Sequence, residues 1–137
     1  LKAQDKEEVI RELAMPAARV AGMDHESLVR VLMEREALGS TGIGGGIAIP
    51  HGKIEKLGTL VMGFGLSRKG VDFESIDNRP AHIFFLLITP EEATNLHLKS
   101  LAQITRILKN EPLRERLLNV TTQEDVLSII REEDEGF

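Results

Sequence analysis

The chain has 137 residues, 42% hydrophobic and 28% charged, with a net charge of −5; this is the balance of one ordinary globular domain, not of a disordered or fibrous chain. It has no Cys, Trp or Tyr, which leaves out disulfide frameworks, thiolate chemistry and the stacking aromatics of a nucleic-acid binder, and its acidity argues equally against nucleic acid. The longest apolar run, Ile83–Ile88, is far too short to cross a bilayer, and no signal-peptide core follows the first residues, so a soluble cytoplasmic protein without direct membrane insertion is expected.

From Lys6 to Val20, Val9, Ile10, Leu13, Ala17 and Val20 fall at helical spacing interrupted by Pro16, which predicts a broken helix. Asp24 reads as the N-cap of a second helix from about His25 to Ala37, stopped by Gly39, with Leu28, Val31 and Leu32 as its apolar stripe. Ser40–Gly46 (STGIGGG) reads as a loop feeding a short strand, Ile47–Ile49, that is capped by Pro50-His51-Gly52. A strand over Leu60–Leu66, a turn at Gly70 before Val71 and Phe73, and a turn at Asp77-Asn78 with Pro80 follow. Ala81–Thr89 is apolar on both faces, the pattern of a central strand covered by helices on each side. Thr89-Pro90 sets up a helix in which Leu98, Leu101, Ile104, Ile107 and Leu108 recur at helical spacing to about Lys109, and a short helix around Leu113–Leu118 comes next. Thr121 with Glu124 forms a capping-box pattern for a last helix through Ile130, ahead of an acidic tail, 131–137. No repeat or linker interrupts the pattern, so a single α/β domain over 1–137 is predicted.

Four features bear on chemistry. His51 follows a rigid proline at the end of a short apolar strand, where α/β folds gather their sites; its neutral imidazole is a usable nucleophile toward phosphorus, a metal ligand, or only a turn residue. STGIGGG offers unhindered backbone N–H groups with the hydroxyls of Ser40 and Thr41, either an anion nest that includes Gly44, Gly45 and Gly46 or a plain connector; no Lys-Ser/Thr follows to make it a Walker loop. Arg35 shares the inward stripe of its helix through Leu28, Val31 and Leu32, so it either reaches back to carbonyls at its own helix end or neutralises an anion near the following loop. His97 precedes Leu101, Ile104 and Leu108 on an inward stripe, as a satisfied core histidine or as a partner of His51. His25 and His82 read as structural or exposed, and no clustered His and carboxylate spacing argues for a metal or cofactor site.

Arg35-Glu36, Gly39-Ser40-Thr41-Gly42-Ile43-Gly44 and Gly46-Ile47-Ala48-Ile49-Pro50-His51-Gly52 together resemble the signature of the fructose/mannitol-type enzyme IIA domains of the bacterial phosphoenolpyruvate-dependent phosphotransferase system. The resemblance continues through Val71-Asp72-Phe73, Pro90–Asn95 and His97-Leu98, and so spans essentially the whole chain. It implies a mixed central sheet sandwiched between helices, phosphate acceptance on His51 from a histidine-phosphorylated carrier protein, and a phosphate site completed by Arg35, sixteen residues before, and His97, forty-six after. The loop wording and Pro90–Asn95 look most like the stand-alone nitrogen-regulatory branch, which implies regulated target proteins as partners. The alternatives are a sugar-transport IIA that passes phosphate to a fructose- or mannitol-type enzyme IIB and, more remotely, a metal-dependent hydrolase using His51 and His97. Which ring nitrogen of His51 would react is not legible at this level.

Overall fold

The computed structural model describes residues 3–119 apart from 56, 59, 93 and 109; the last helix and acidic tail expected from the sequence lie outside the described residues. Chain order is α1 (Lys6–Ala21), α2 (His25–Ala37), β1 (Gly42–Gly44), β2 (Ile47–Ala48), β3 (His51–Ile54), β4 (Val61–Val71), β5 (Ala81–Pro90), α3 (Thr94–Leu108) and α4 (Glu111–Leu118).

β5 organises the sheet. It pairs in parallel with β2 and β3 along one edge and antiparallel with β4 along the other, while β1 pairs antiparallel with β2. Because strand side chains alternate, Phe84, Leu86 and Ile88 enter one core with α1 and α2, and Ile83, Phe85 and Leu87 enter the other with Ile104, Ile107, Leu108, Leu113 and Leu117 of α3 and α4. The expected mixed sheet between two helical layers is therefore present, and each buried β5 side chain contributes roughly 1.5–3 kcal/mol of apolar burial.

Local chemistry sets the ends of the first two helices. Asp5 caps α1 through Glu8 N–H, and the left-handed Gly22 closes it, with Met23 N–H reaching Ala18 O at 3.0 Å. Asp24 then caps α2 through Ser27 N–H at 3.0 Å, as the sequence indicated.

Several boundaries depart from the sequence reading. α1 is one helix through Pro16 and is not broken: Pro16 lies on the exposed face, and burial of Leu13, Ala14, Ala17 and Ala18 on both sides of it outweighs one missing backbone bond. STGIGGG is not a simple loop, because Gly42–Gly44 forms β1 and the positive φ angles of Gly45 and Gly46 turn it directly into β2. The chain does not turn at Gly70; β4 runs on to Val71 with an irregularity absorbed there. α3 begins at Thr94, since β5 extends through Pro90, and Leu98 is 60% exposed while His97 and Ser100 take the inward stripe with Ile104 and Ile107. No described helix is long and apolar enough to cross a membrane.

Candidate functional site

β2 stops at Ala48 beside Phe84, and β3 starts at His51 beside Leu87, so one edge of β5 is served by two short strands with Ile49-Pro50 between them. His51 is thus the first residue of a strand rather than part of a terminal cap. Pro50 O accepts from Leu87 N–H of β5, so by strand alternation Ile49 turns its own backbone groups away from β5. Its N–H donates to Thr41 O at 3.0 Å, and its carbonyl accepts a hydrogen bond from His51 Nδ1 at 2.7 Å. A carbonyl can only accept, so Nδ1 carries the ring proton and Nε2 holds the lone pair.

Arg35 meets that lone pair. From the last turn of α2 its Nε donates to His51 Nε2 at 3.3 Å, while Nη1 donates to Gly39 O at 2.8 Å. The helix-end reading of Arg35 is present, since one nitrogen ties down the carbonyl just past its own helix, and another nitrogen faces the histidine. α2 reaches this position because it lies directly on β3, where a Cβ on Gly52 would sit 3.0 Å from Val31 Cγ1. Gly52 therefore serves helix packing.

His97 closes the site from α3. Its ring centroid is 5.3 Å from that of His51 at an interplanar angle of 55°, and its Nδ1 lies 2.6 Å from Thr89 Oγ1. Burial holds the His51 imidazole below its ordinary value of 6.5, with the Arg35 charge adding to that effect and the Ile49 bond and Glu36 opposing it. His97 is lowered to about 4, by burial first and then by the neighbouring His51, Lys53 and Arg35. Two imidazoles held toward their neutral form and a guanidinium thus lie together, an arrangement suited to a nucleophile whose product is an anion.

The structure brings Arg35, His51 and His97 together and leaves the glycines apart. Ile47 is paired with Ile83 and His51 with Leu87, so Gly44–Gly46, before Ile47, lie beyond about 13 Å of strand from His51. Gly45 N–H is donated to Asp77 at 3.0 Å, a bond that with one from Arg79 N–H holds the Asp77 carboxyl below its usual range. Ser40 Oγ donates to Phe73 O at 2.7 Å, and Thr41 gives both its N–H and its hydroxyl to Glu36. The loop residues expected to cradle phosphate spend these groups on the scaffold instead.

The chain matches, over residues 1–133, the family described as phosphoenolpyruvate-dependent sugar phosphotransferase system, EIIA 2. It is a member of that family. A nitrogen regulatory protein of Bradyrhizobium diazoefficiens is 38% identical over 95% of this chain and 85% of its own length. The fructose-specific EIIABC component of Bacillus subtilis is 35% identical over 98% of this chain, which corresponds to 21% of that longer protein. The crystal structure of the nitrogen regulatory protein IIA-Ntr from Neisseria meningitidis superposes with a TM-score of 0.90 at 32% identity, covering 95% of this chain and 89% of that one. This IIA chain is accordingly a component of a phosphoryl-transfer system, in a family with both nitrogen-regulatory and sugar-specific members.

Sequence reasoning missed three participants. Ile49 acts through its carbonyl, which no side-chain pattern reveals. Thr89 was visible as the one hydroxyl ending an apolar run, and Glu36 as the residue four beyond Leu32 and eight beyond Leu28 on the buried stripe. Glu36 is buried, paired with Lys6 Nζ at 2.9 Å and bonded to Thr41, so it fastens α1, α2 and the start of β1 around Arg35.

Proposed function

We propose that this IIA chain carries a phosphoryl group on Nε2 of His51, taken from a histidine-phosphorylated carrier protein in the cytoplasm and used chiefly for nitrogen-type regulation. One observation carries the reading: Nδ1 is tied to Ile49 O, which presents the Nε2 lone pair beside Arg35. In the transfer, Nε2 forms a bond to phosphorus as the donor's N–P bond breaks and its electron pair returns to the donor ring. The His51 proton stays on Nδ1 throughout, so no general base is needed. Arg35 Nε, released from Nε2, and His97 then face the phosphoryl oxygens, where preorganised donors lower the barrier. Ser40, Thr41, Gly44, Gly45 and Gly46 have no direct part in this reading.

The regulatory assignment rests on the nitrogen regulatory relatives. Sugar transport is the second reading, supported by the fructose-specific EIIABC relative, and it would require phosphate to pass onward to an enzyme IIB. A metal-dependent hydrolase fits poorly, because the lone pair a metal would take on His51 faces a guanidinium.

Intact-mass measurement after incubation with phosphoenolpyruvate, enzyme I and the histidine carrier tests the reading. One acid-labile phosphoryl group on the parent and none on His51→Ala is expected; labelling that survives His51→Ala sinks it. A chase with fructose- and mannitol-type enzyme IIB separates the two destinations, with rapid loss of label to either favouring transport.

A further inference from the structure

β5 is apolar from Ile83 to Ile88, and its next residue, Thr89, is 0% exposed. A hydroxyl so placed needs a partner, and its Oγ1 has one, His97 Nδ1 at 2.6 Å. Among the described residues Oγ1 makes no other hydrogen bond.

Counting protons decides the direction of this bond. His97 is neutral over the physiological range and has one N–H; the hydroxyl has one O–H and spare lone pairs. If Nδ1–H were the donor, the buried O–H would have no acceptor among the described residues, an omission that costs more than a typical net hydrogen bond returns. If O–H is the donor, its proton is satisfied, Nδ1 accepts, and the ring proton is on Nε2.

We propose that Thr89 is a positioning residue that fixes His97 as its Nε2–H tautomer, so that His97 offers a neutral N–H donor to a phosphoryl oxygen on His51. The inference rests on the phosphocarrier reading and adds to it how the second histidine is set. The two rings, 5.3 Å apart, then hold opposite tautomers for opposite reasons. A backbone carbonyl, which only accepts, puts the His51 proton on Nδ1; a hydroxyl, which here donates, keeps the His97 proton off Nδ1. One ring is left with a lone pair for phosphorus and the other with a hydrogen for oxygen. Were both rings set by carbonyls, each would keep a lone pair on Nε2 and neither would offer the phosphoryl group an N–H from that nitrogen.

Long-range nitrogen-15 NMR of the imidazoles in the unphosphorylated protein reads the tautomers directly. The parent is expected to show Nε2–H at His97 and Nδ1–H at His51. Thr89→Val keeps the shape but removes the donor; His97 should become a tautomer mixture, and phosphorylation of His51 by the carrier should slow about tenfold, the equivalent of one hydrogen bond. Thr89→Ser should restore both the tautomer and the rate to within about twofold of the parent. An Nδ1–H signal for His97 in the parent overturns the proposal, as does a Thr89→Val protein that labels at the parent rate. The parent spectrum needs no variant, so a misfolded Thr89→Val protein does not protect the idea. If the parent takes no phosphoryl group at all, the phosphocarrier reading fails and the use assigned to the His97 N–H fails with it, while the spectrum still decides whether Thr89 sets the tautomer.

Discussion

The two ends of the β2–β5 pairing carry similar components with different outcomes. At one end, His51 Nδ1 bonds Ile49 O, and Arg35 reaches in from a helix. At the other, His82 Nδ1 bonds Ser67 O, and Arg114 Nη1 reaches in from α4 to Gly45 O at 3.1 Å. Both histidines have a ring nitrogen on a backbone carbonyl, so that device alone does not make a site. The difference lies at the remaining nitrogen. His51 Nε2 meets a guanidinium N–H and has a second imidazole alongside, whereas the free edge of the His82 ring is packed over Gly70, where an added Cβ would come within 3.1 Å of Nε2. On the phosphocarrier reading, reactivity follows from what faces the lone pair.

The largest contrast is in labelling. His51→Ala is expected to abolish phosphoryl uptake and His82→Ala to leave its rate within about twofold while lowering stability by about 1 kcal/mol, read by intact mass and urea melts. Equal loss of uptake in both variants would break the distinction between the two ends. The arginines should differ next most. Arg35→Ala should slow uptake roughly a hundredfold through loss of a preorganised donor, and Arg114→Ala should leave it unchanged. Arg35→Lys should rescue little, since one ammonium cannot hold both Gly39 O and the phosphoryl site in a planar fork.

The glycines divide the same way on a smaller scale. Gly52→Ala pushes on Val31 and hence on the helix bearing Arg35; it should cost about 1–2 kcal/mol and also slow uptake. Gly46→Ala, at φ 81°, should cost about 1 kcal/mol in backbone strain with uptake unaffected. Denaturant midpoints beside labelling rates separate the two.

The last contrast is in stability against pH. His97 titrates near 6.5 when unfolded and about 4 when folded, so between those values the unfolded chain binds the extra proton. Stability should therefore fall as pH drops from 6.5 toward 4 and be flat above that window as far as this group is concerned. His51, also held below its ordinary value, adds a slope of the same sign. His97→Gln should reduce the slope measured by urea melts; an unchanged slope would show that the ring is not buried neutral.

The site was more legible in the sequence than the sheet around it. Arg35, His51 and His97 come from separate elements, yet each carries a local sign: a charge on an apolar stripe, a proline before a histidine, a histidine on a helix's inward face. The same reasoning misplaced the glycines, because an exposed amide and one donated to Asp77 look identical in sequence. It ended β4 at Leu66 and broke α1 at Pro16, because local breakers were weighed without the tertiary burial that overrides them. Thr89 and Glu36 were overlooked as single polar residues in apolar patterns, although a polar residue at a buried position implies a partner.

The gap between β2 and β3 has an evolutionary implication. Ile49 can orient His51 because its carbonyl points away from β5, and Pro50 gives β5 a carbonyl, to Leu87 N–H, but has no N–H to add, which maintains that gap. A chain selected for stability alone would close it, for instance by Pro50→Val, and gain a continuous strand along β5. Such a repair would add an N–H toward β5 and remove the proline ring that stiffens the backbone just before His51, loosening the imidazole, so thermal stability and phosphoryl uptake should move in opposite directions at this position. Under the phosphocarrier reading, His51 sits beside a flaw in an otherwise well-paired sheet, and selection for the function is selection against mending it.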